Sequence, residues 1–428
     1  MDRRHFISTS AINAFAFSGA ASALAIGQDK NNKDYGTAAV SPTVIEKIGD
    51  HTLEDLRDFH QKELDEEYIA LWAKNGIDWE YGGVIPFWDD KGEFTSDIKE
   101  MYYLGRAIWV FSYLYNHFGK NKKHLEAARM TKDFTFKHCR DENGYWISEV
   151  KRDGIFVQGS FNIYGDMYMV LGLTEYYIAT GDEEARDIAI ESAHGVNERI
   201  VSPDYQHLGG HGSGHEPGTK RLGTWQHFLS TLTPLARETN DYGITMIARM
   251  CLRNIMERHY RPEYGAAFEY LDDMFQPFER NTHRTVSGWH SIQAAWMCMD
   301  EALRMGDKRT FMDAMEMGRL TLEKTWVDGE MGGLVSISNP EARPVEPNDY
   351  APSGAIDDTI IFTLFAIEHT HAPWAVYWFD KVFTHGQNKP DRWKRSCLLH
   401  HPRRLFLVIE MLDRMIARKG RVSNFLEG

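Results

Sequence analysis

Two histidines, His290 and His400, stand close to the starts of apolar helical stretches. A neutral imidazole is the side chain best matched to taking up or giving back a proton near pH 7. Three more polar residues occupy similar places: Arg106, Tyr164 and His227 each lie in the first half of a helical segment. Taken singly, a histidine in an apolar helix is usually a satisfied core residue, and an arginine is usually salt-bridged. A common site therefore depends on the elements that carry these five residues, and on whether those elements bring them to one place.

Helical periodicity alternates with glycine-rich loops from residue 52 onward. It predicts helices at 52–74, 97–117, 122–139, 162–180, 183–200, 222–239, 242–258, 287–305, 308–325, 356–370, 373–385 and 400–418. Strand-like alternation is nearly absent, apart from short pieces such as GGVIPFW and GGLVSIS. Links leaving the even-numbered helices are tight turns, with Ala179-Thr-Gly-Asp182, Thr239-Asn-Asp241 and Met305-Gly-Asp307 supplying a helix stop and an Asp cap. Links entering the even helices are long, which in a compact domain usually marks function. This pattern is that of an all-α, single (α/α)6 barrel with the more apolar even helices as its inner ring. The long loops would then crowd one rim, and the active site would lie at the N-terminal ends of the even helices. Arg106, Tyr164, His227, His290 and His400 all map to that rim.

Composition bounds the rest. The chain has 428 residues, 43% hydrophobic and 26% charged, with ample apolar material for a large core. Its net charge of −14, without a basic cluster, argues against nucleic-acid binding. Residues 1–25 resemble a twin-arginine signal peptide, with Arg3-Arg4 before a mildly apolar run and a cleavage site near Ala25. Residues 26–50 form a polar leader, and 51–428 the catalytic domain. No later segment reads as a membrane span, so the expected location is periplasmic or otherwise exported, with no membrane partner after cleavage. Cys139, Cys251, Cys298 and Cys397 show no CxxC spacing and read as free thiols. His207, His211 and His215 recur at a zinc-binding helical spacing, but the intervening glycines make a loop the favoured reading, with metal the minority one.

On specific motifs the chain resembles the N-acylglucosamine 2-epimerase superfamily, which includes cellobiose 2-epimerases and mannose or sulfoquinovose isomerases. The resemblance runs from about Leu53 to Lys419. It rests on Tyr102, Arg106 and Trp109 in helix 2, and on Tyr164, Gly165, Glu175 and Tyr176 in helix 4. Helix 6 adds His227 ahead of Leu229. The more specific matches are Gly288-Trp-His290-Ser-Ile292-Gln293-Ala-Ala-Trp296 in helix 8 and His400-His401-Pro402-Arg403 in helix 12. Only one of the neighbours His400 and His401 can face a pocket, and the family pattern selects His400.

What the resemblance implies is proton abstraction at C2 of an open-chain sugar, through a cis-enediolate. His290 and His400 would be the catalytic pair on opposite faces, giving epimerisation; a single histidine shuttling the proton from C2 to C1 would give a ketose. Arg106, Tyr164, His227, Gln293 and Arg403 would bind the sugar and steady the oxyanion. The scheme needs no cofactor and no metal, and its only partner is a mono- or disaccharide; relatives are monomers or homodimers. Rim aromatics such as Trp79, Tyr81 and Trp88 could stack on a sugar.

The chain departs from the pattern in four places. The helix 8 glutamate is Gln293 here, which predicts a weaker base at His290 or a different carboxylate in its place. Trp289 and Trp225 would reshape the pocket. Helix 10 reads SGAIDDTIIFTL, with Asp357 and Asp358 at its start. Two other readings compete: a glycoside hydrolase or lyase on the same scaffold using Asp357 or Asp358 with Asp166, and a sugar-binding relative with weakened catalysis.

Overall fold

The computed structural model describes residues 43–89, 91–160, 163–202, 219–279, 284–329, 332–337, 353–387 and 397–426. The signal-type segment, most of the polar leader and the His207, His211 and His215 loop lie outside the described residues. Among those described there are twelve helical rods: α1 (53–74), α2 (Met101–His117), α3 (Lys122–His138), α4 (Ile163–Thr180), α5 (Glu183–Val201), α6 (Leu222–Thr239), α7 (242–259), α8 (Gly288–Met305), α9 (Lys308–Thr325), α10 (Ser353–Thr370), α11 (Pro373–Gln387) and α12 (His400–Ala417). The largest departure from the expected bounds is at α2, which starts at 101 rather than 97.

The short links behave as their residues dictate. Asp182, Asp241 and Asp307 accept the backbone N–H of Ala185, Ile244 and Thr310 at 3.2, 2.8 and 3.0 Å. Each satisfies a helix-start donor that would otherwise be orphaned. The preceding helices stop on left-handed residues, Gly181, Asn240 and Gly306.

Five sequential hairpins result: α2 with α3, α4 with α5, α6 with α7, α8 with α9, and α10 with α11. The sixth pair joins the two ends of the fold, α12 packing on α1. The even helices also pack on one another in order around an inner ring. Tyr113 of α2, stacked on Phe406 of α12 at 4.8 Å, closes that ring. This is an (α/α)6 toroid. Burial follows the layering, since residues 163–176 of α4 are buried on every side, as an inner helix must be. Helices α2 and α4 approach closely because Gly105 lacks a side chain: a Cβ there would sit 2.5 Å from the Tyr168 carbonyl carbon. Arg404, fully buried, ties three helices together by holding Glu63 of α1 and Asp357 of α10, both at 2.7 Å.

Short antiparallel ribbons rim one end of the toroid. Ile98–Glu100, entering α2, pairs with Glu149–Lys151; Lys220–Arg221, entering α6, pairs with Tyr270–Leu271; Val286–Ser287, entering α8, pairs with Ser336–Ile337. At two or three residues these strands are too short to leave an alternating pattern, and of them only Ser336–Ile337 falls within a strand-like piece of the sequence, GGLVSIS. Toward the other end of the axis a cavity of about 750 Å³ is lined mostly by later turns of the inner helices, including His117, Ile178, Arg237 and Arg304, with Trp296 and Arg403 also among its walls.

Candidate active site

A cavity of about 140 Å³ opens at the ribboned end, lined by Tyr102, Tyr164, Arg221, Gly223, His227, Trp289, His290, Gln293 and His400. All of these except Arg221 sit in the first two turns of an inner helix, and Arg221 immediately precedes α6. The positive ends of the inner-helix dipoles therefore face this mouth, a setting that favours an anion there.

His290 is the third residue of α8, its backbone N–H held by Ser287 Oγ at 3.2 Å. Its Nδ1 lies 2.9 Å from both carboxylate oxygens of Glu269. Glu269 is 2% exposed and also accepts Arg221 Nε at 2.8 Å. Burial would push this carboxyl up, but His290 and Arg221 outweigh it and bring it down to about 2. A carboxylate on Nδ1 keeps the proton on that nitrogen and leaves the Nε2 lone pair free to act as a base. The carboxylate expected as a substitute for the missing helix 8 glutamate is thus Glu269.

His400 begins α12 and has a dyad of its own. Its Nδ1 donates to Asp358 Oδ2 at 3.2 Å. Asp358 is fully buried and also accepts from Trp289 Nε1 (2.7 Å), Gln293 Nε2 (3.0 Å), Trp296 Nε1 (3.1 Å) and Arg403 Nη2 (3.0 Å). Burial alone would raise its carboxyl, but Arg403, His400 and the Trp289 N–H hold it well below the usual carboxylate range. Burial lowers the His400 imidazole from its ordinary value, only partly opposed by Asp358, so the ring is neutral at pH 7. Trp289 lies between the two dyads, its ring 4.9 Å from that of His400 and 5.8 Å from that of His290. It fits because residue 354 is glycine: a Cβ there would come within 2.7 Å of the indole.

The remaining expected residues divide. Tyr164 lines the cavity, its hydroxyl 3.2 Å from Thr224 Oγ1. His227 also lines it and donates Nδ1–H to the Gly223 carbonyl at 2.6 Å, leaving Nε2 as an acceptor. Burial and the neighbouring His290 push the His227 ring well below its ordinary value, so it is neutral. Arg106 is not among the lining residues. It lies between the rings of Tyr102 and Tyr168, 3.7 and 4.0 Å from their centroids, and donates to Tyr168 Oη at 2.7 Å. Arg403 also stands back from the cavity, spent on Asp358. Gln293 lines the wall, but its amide is committed to Asp358 and to Gln226 Nε2 (2.6 Å) rather than to His290.

Other expectations sort as cleanly. His401 turns away from the cavity toward Glu63 and Asp357, 3.8 and 3.9 Å off. Trp225 is buried outside the cavity. Trp79 and Tyr81 are exposed, Trp88 packs edge-on against Trp72, and none of the three lines the cavity. The four cysteines are free. Asp166 is paired with Arg199 and Asp357 with Arg404. Among the described residues no carboxylate lines the cavity, and no group of three His, Cys, Asp or Glu could hold a metal ion. Sequence reasoning missed Glu269 and Arg221. The one available signal was a lone acid inside the apolar run Phe268-Glu-Tyr-Leu271.

A toroid of paired helices with two histidine–carboxylate dyads at the inner helix starts defines a class of (α/α)6 proteins with an acid–base site. The chain belongs to the N-acylglucosamine 2-epimerase family, whose sequence model matches residues 83–351. It is 24% identical over 286 residues to N-acylglucosamine 2-epimerase of Mus musculus, covering 64% of this chain and 66% of that protein. To cellobiose 2-epimerase of Dictyoglomus turgidum it is 23% identical over 284 residues, covering 58% of this chain and 71% of that one. The matched stretch thus spans about two thirds of these curated relatives. Its fold is similar to cellobiose 2-epimerase of Bacillus thermoamylovorans, with a TM-score of 0.70 at 17% identity over 83% of this chain and 99% of that one.

Proposed function

We propose that the chain is a sugar 2-epimerase or aldose–ketose isomerase, working by imidazole-mediated proton transfer at C2. The observation that carries this reading is the pair of histidines lining one cavity, each with Nδ1 on a buried carboxylate. Membership of a family that contains sugar epimerases supports it.

In this reading the open-chain aldose lies with C2 between His290 and His400. Nε2 of one removes the C2 proton, and the electron pair moves into a cis-enediolate. The other ring, entering the step as an imidazolium balanced by its carboxylate, returns its Nε2 proton to the opposite face for epimerisation and is left neutral; return of the abstracted proton to C1 by the first ring gives the ketose. The enediolate carries negative charge, and Arg221, Arg106 and the inner helix N-termini make the mouth electropositive where it forms. His227 Nε2 accepts a sugar hydroxyl, and Tyr164 holds another. A hydrolase would need two carboxyl groups flanking the scissile bond; among the described residues none lines the cavity, which favours proton transfer.

The test is incubation of the protein with a panel of free, N-acetylated and β-linked aldoses in D2O, followed by NMR. Loss of the C2 hydrogen signal is expected, together with a 2-epimer or a ketose. Release of smaller sugars with C2 hydrogen retained refutes the proposal.

A further inference from the structure

We propose that Glu269 is the positioning residue of His290, while Gln293 braces the opposite dyad, so that position 293 requires an amide and not a carboxylate. The inference rests on the proton-transfer reading above.

His290 and Gln293 are one helical turn apart on α8, yet their side chains serve different partners. His290 faces Glu269, which presents both oxygens at 2.9 Å. Glu269 is fixed from several sides: its backbone N–H donates to Thr285 O at 2.8 Å, and its carbonyl accepts from Leu222 N at 2.8 Å. Its side chain also takes Arg221 Nε at 2.8 Å. A carboxylate so held cannot follow the ring, so the ring must follow the carboxylate. The charged or titratable groups around His290 are Glu269 and Arg221 from the ribbon, and His227 of α6, 6.4 Å away ring to ring.

Gln293 runs the other way. It accepts from Gln226 Nε2 through Oε1 and donates to Asp358 through Nε2. An amide does both without a charge or a shared proton, whereas an ionised carboxylate has no donor to offer Asp358. A glutamate there, the residue that the family resemblance would place, would put a second buried carboxylate 3.0 Å from Asp358. Two such groups share a proton rather than both ionise, and Asp358 is the acceptor that sets the His400 tautomer.

The experiment compares Glu269→Gln, Glu269→Asp and Gln293→Glu by 15N NMR of the histidine rings and by steady-state kinetics. In Glu269→Gln the His290 ring is expected to lose its single Nδ1–H tautomer while His400 keeps its own. The kcat should fall by about 10- to 100-fold with KM little changed, and Glu269→Asp should recover part of both. In Gln293→Glu the disturbance should move to His400 and spare His290, with kcat lowered. An unchanged His290 tautomer in Glu269→Gln, or Gln293→Glu turning over as fast as wild type, overturns the proposal. The ring spectra decide it even if wild type turns over none of the sugars tried, which would count against the proposed activity alone. Melting curves screen the variants, and Glu269→Asp stands in if the glutamine variant does not fold.

Discussion

Replacing Asp358 by asparagine tests the centre of the site most severely. Its Oδ2 takes Trp289, Gln293 and His400, and its Oδ1 takes Trp296 and Arg403. Asparagine keeps the shape, loses the charge, and turns one acceptor into a donor. Whichever way the amide lies, two or three buried donors meet an NH2 group, at about 1–3 kcal/mol for each one stranded. Arg403 is also left without its counter-charge in a buried setting, and breaking such a pair costs about 3–5 kcal/mol. Because these losses overlap, the expected drop in unfolding free energy at pH 7 is about 3–5 kcal/mol. The Asp358 carboxyl is depressed in the folded protein, so its contribution is fully present above the unfolded carboxyl value of about 3.9 and is lost as pH falls below it. Urea unfolding at pH 7 and at stepwise lower pH should therefore show a large gap between wild type and variant that narrows below about pH 4. Turnover should fall by about 10²- to 10⁴-fold, the usual share of a positioned acid or base. A gap that stays constant with pH, or a variant as stable as wild type, would refute this account.

Three further outcomes are expected. Gly105→Ala should lower the melting temperature, because its Cβ meets the backbone of Tyr168 and Met169 at 2.5 and 2.7 Å and must wedge α2 from α4, costing about 1–3 kcal/mol; an unchanged melt would show that these helices yield freely. His117 is desolvated, yet Glu175 and Glu410 more than offset that and raise its ring to about 9. Its stabilising share is full below the unfolded value of about 6.5 and fades as pH rises through 9, so His117→Gln should flatten the stability–pH curve across that window, as urea midpoints would reveal. Arg404→Met leaves Glu63 and Asp357 buried without their cation and should destabilise by about 3–5 kcal/mol by calorimetry; a wild-type melt would mean that the two carboxyls simply take up protons.

The helices were legible because their signals are local. Asp182, Asp241 and Asp307 announce helix starts, and loop length separates inner from outer rods. That same logic brings His290 and His400 to one mouth, where both line the cavity. What escaped is what loops deliver. Glu269 belongs to an irregular stretch beside a two-residue strand and reaches His290 across 21 positions, with no period to betray it. Gln293 misled for a related reason: a one-turn spacing says that two side chains share a face of α8, not that they share a partner. Arg403 follows His400 by three residues in the same way, and its partner Asp358 lies on another helix. Trp225 and Trp289 looked equivalent as bulky replacements, but only Trp289 has a glycine opposite to receive it.

The pairing of α12 with α1 has a consequence for how the protein comes into being. Five hairpins emerge from the ribosome in order, each able to settle on the one before. They make only an open arc, with an apolar flank bare at either end. The sixth inner helix carries His400, and its outer partner was the first to be made. The contact between Glu63 and Arg404 spans 341 positions, and no shorter nascent chain can form it. His400 and ring closure therefore arrive in the same late event, so a chain stopped short of α12 is left unclosed, with its inner surface open to aggregation.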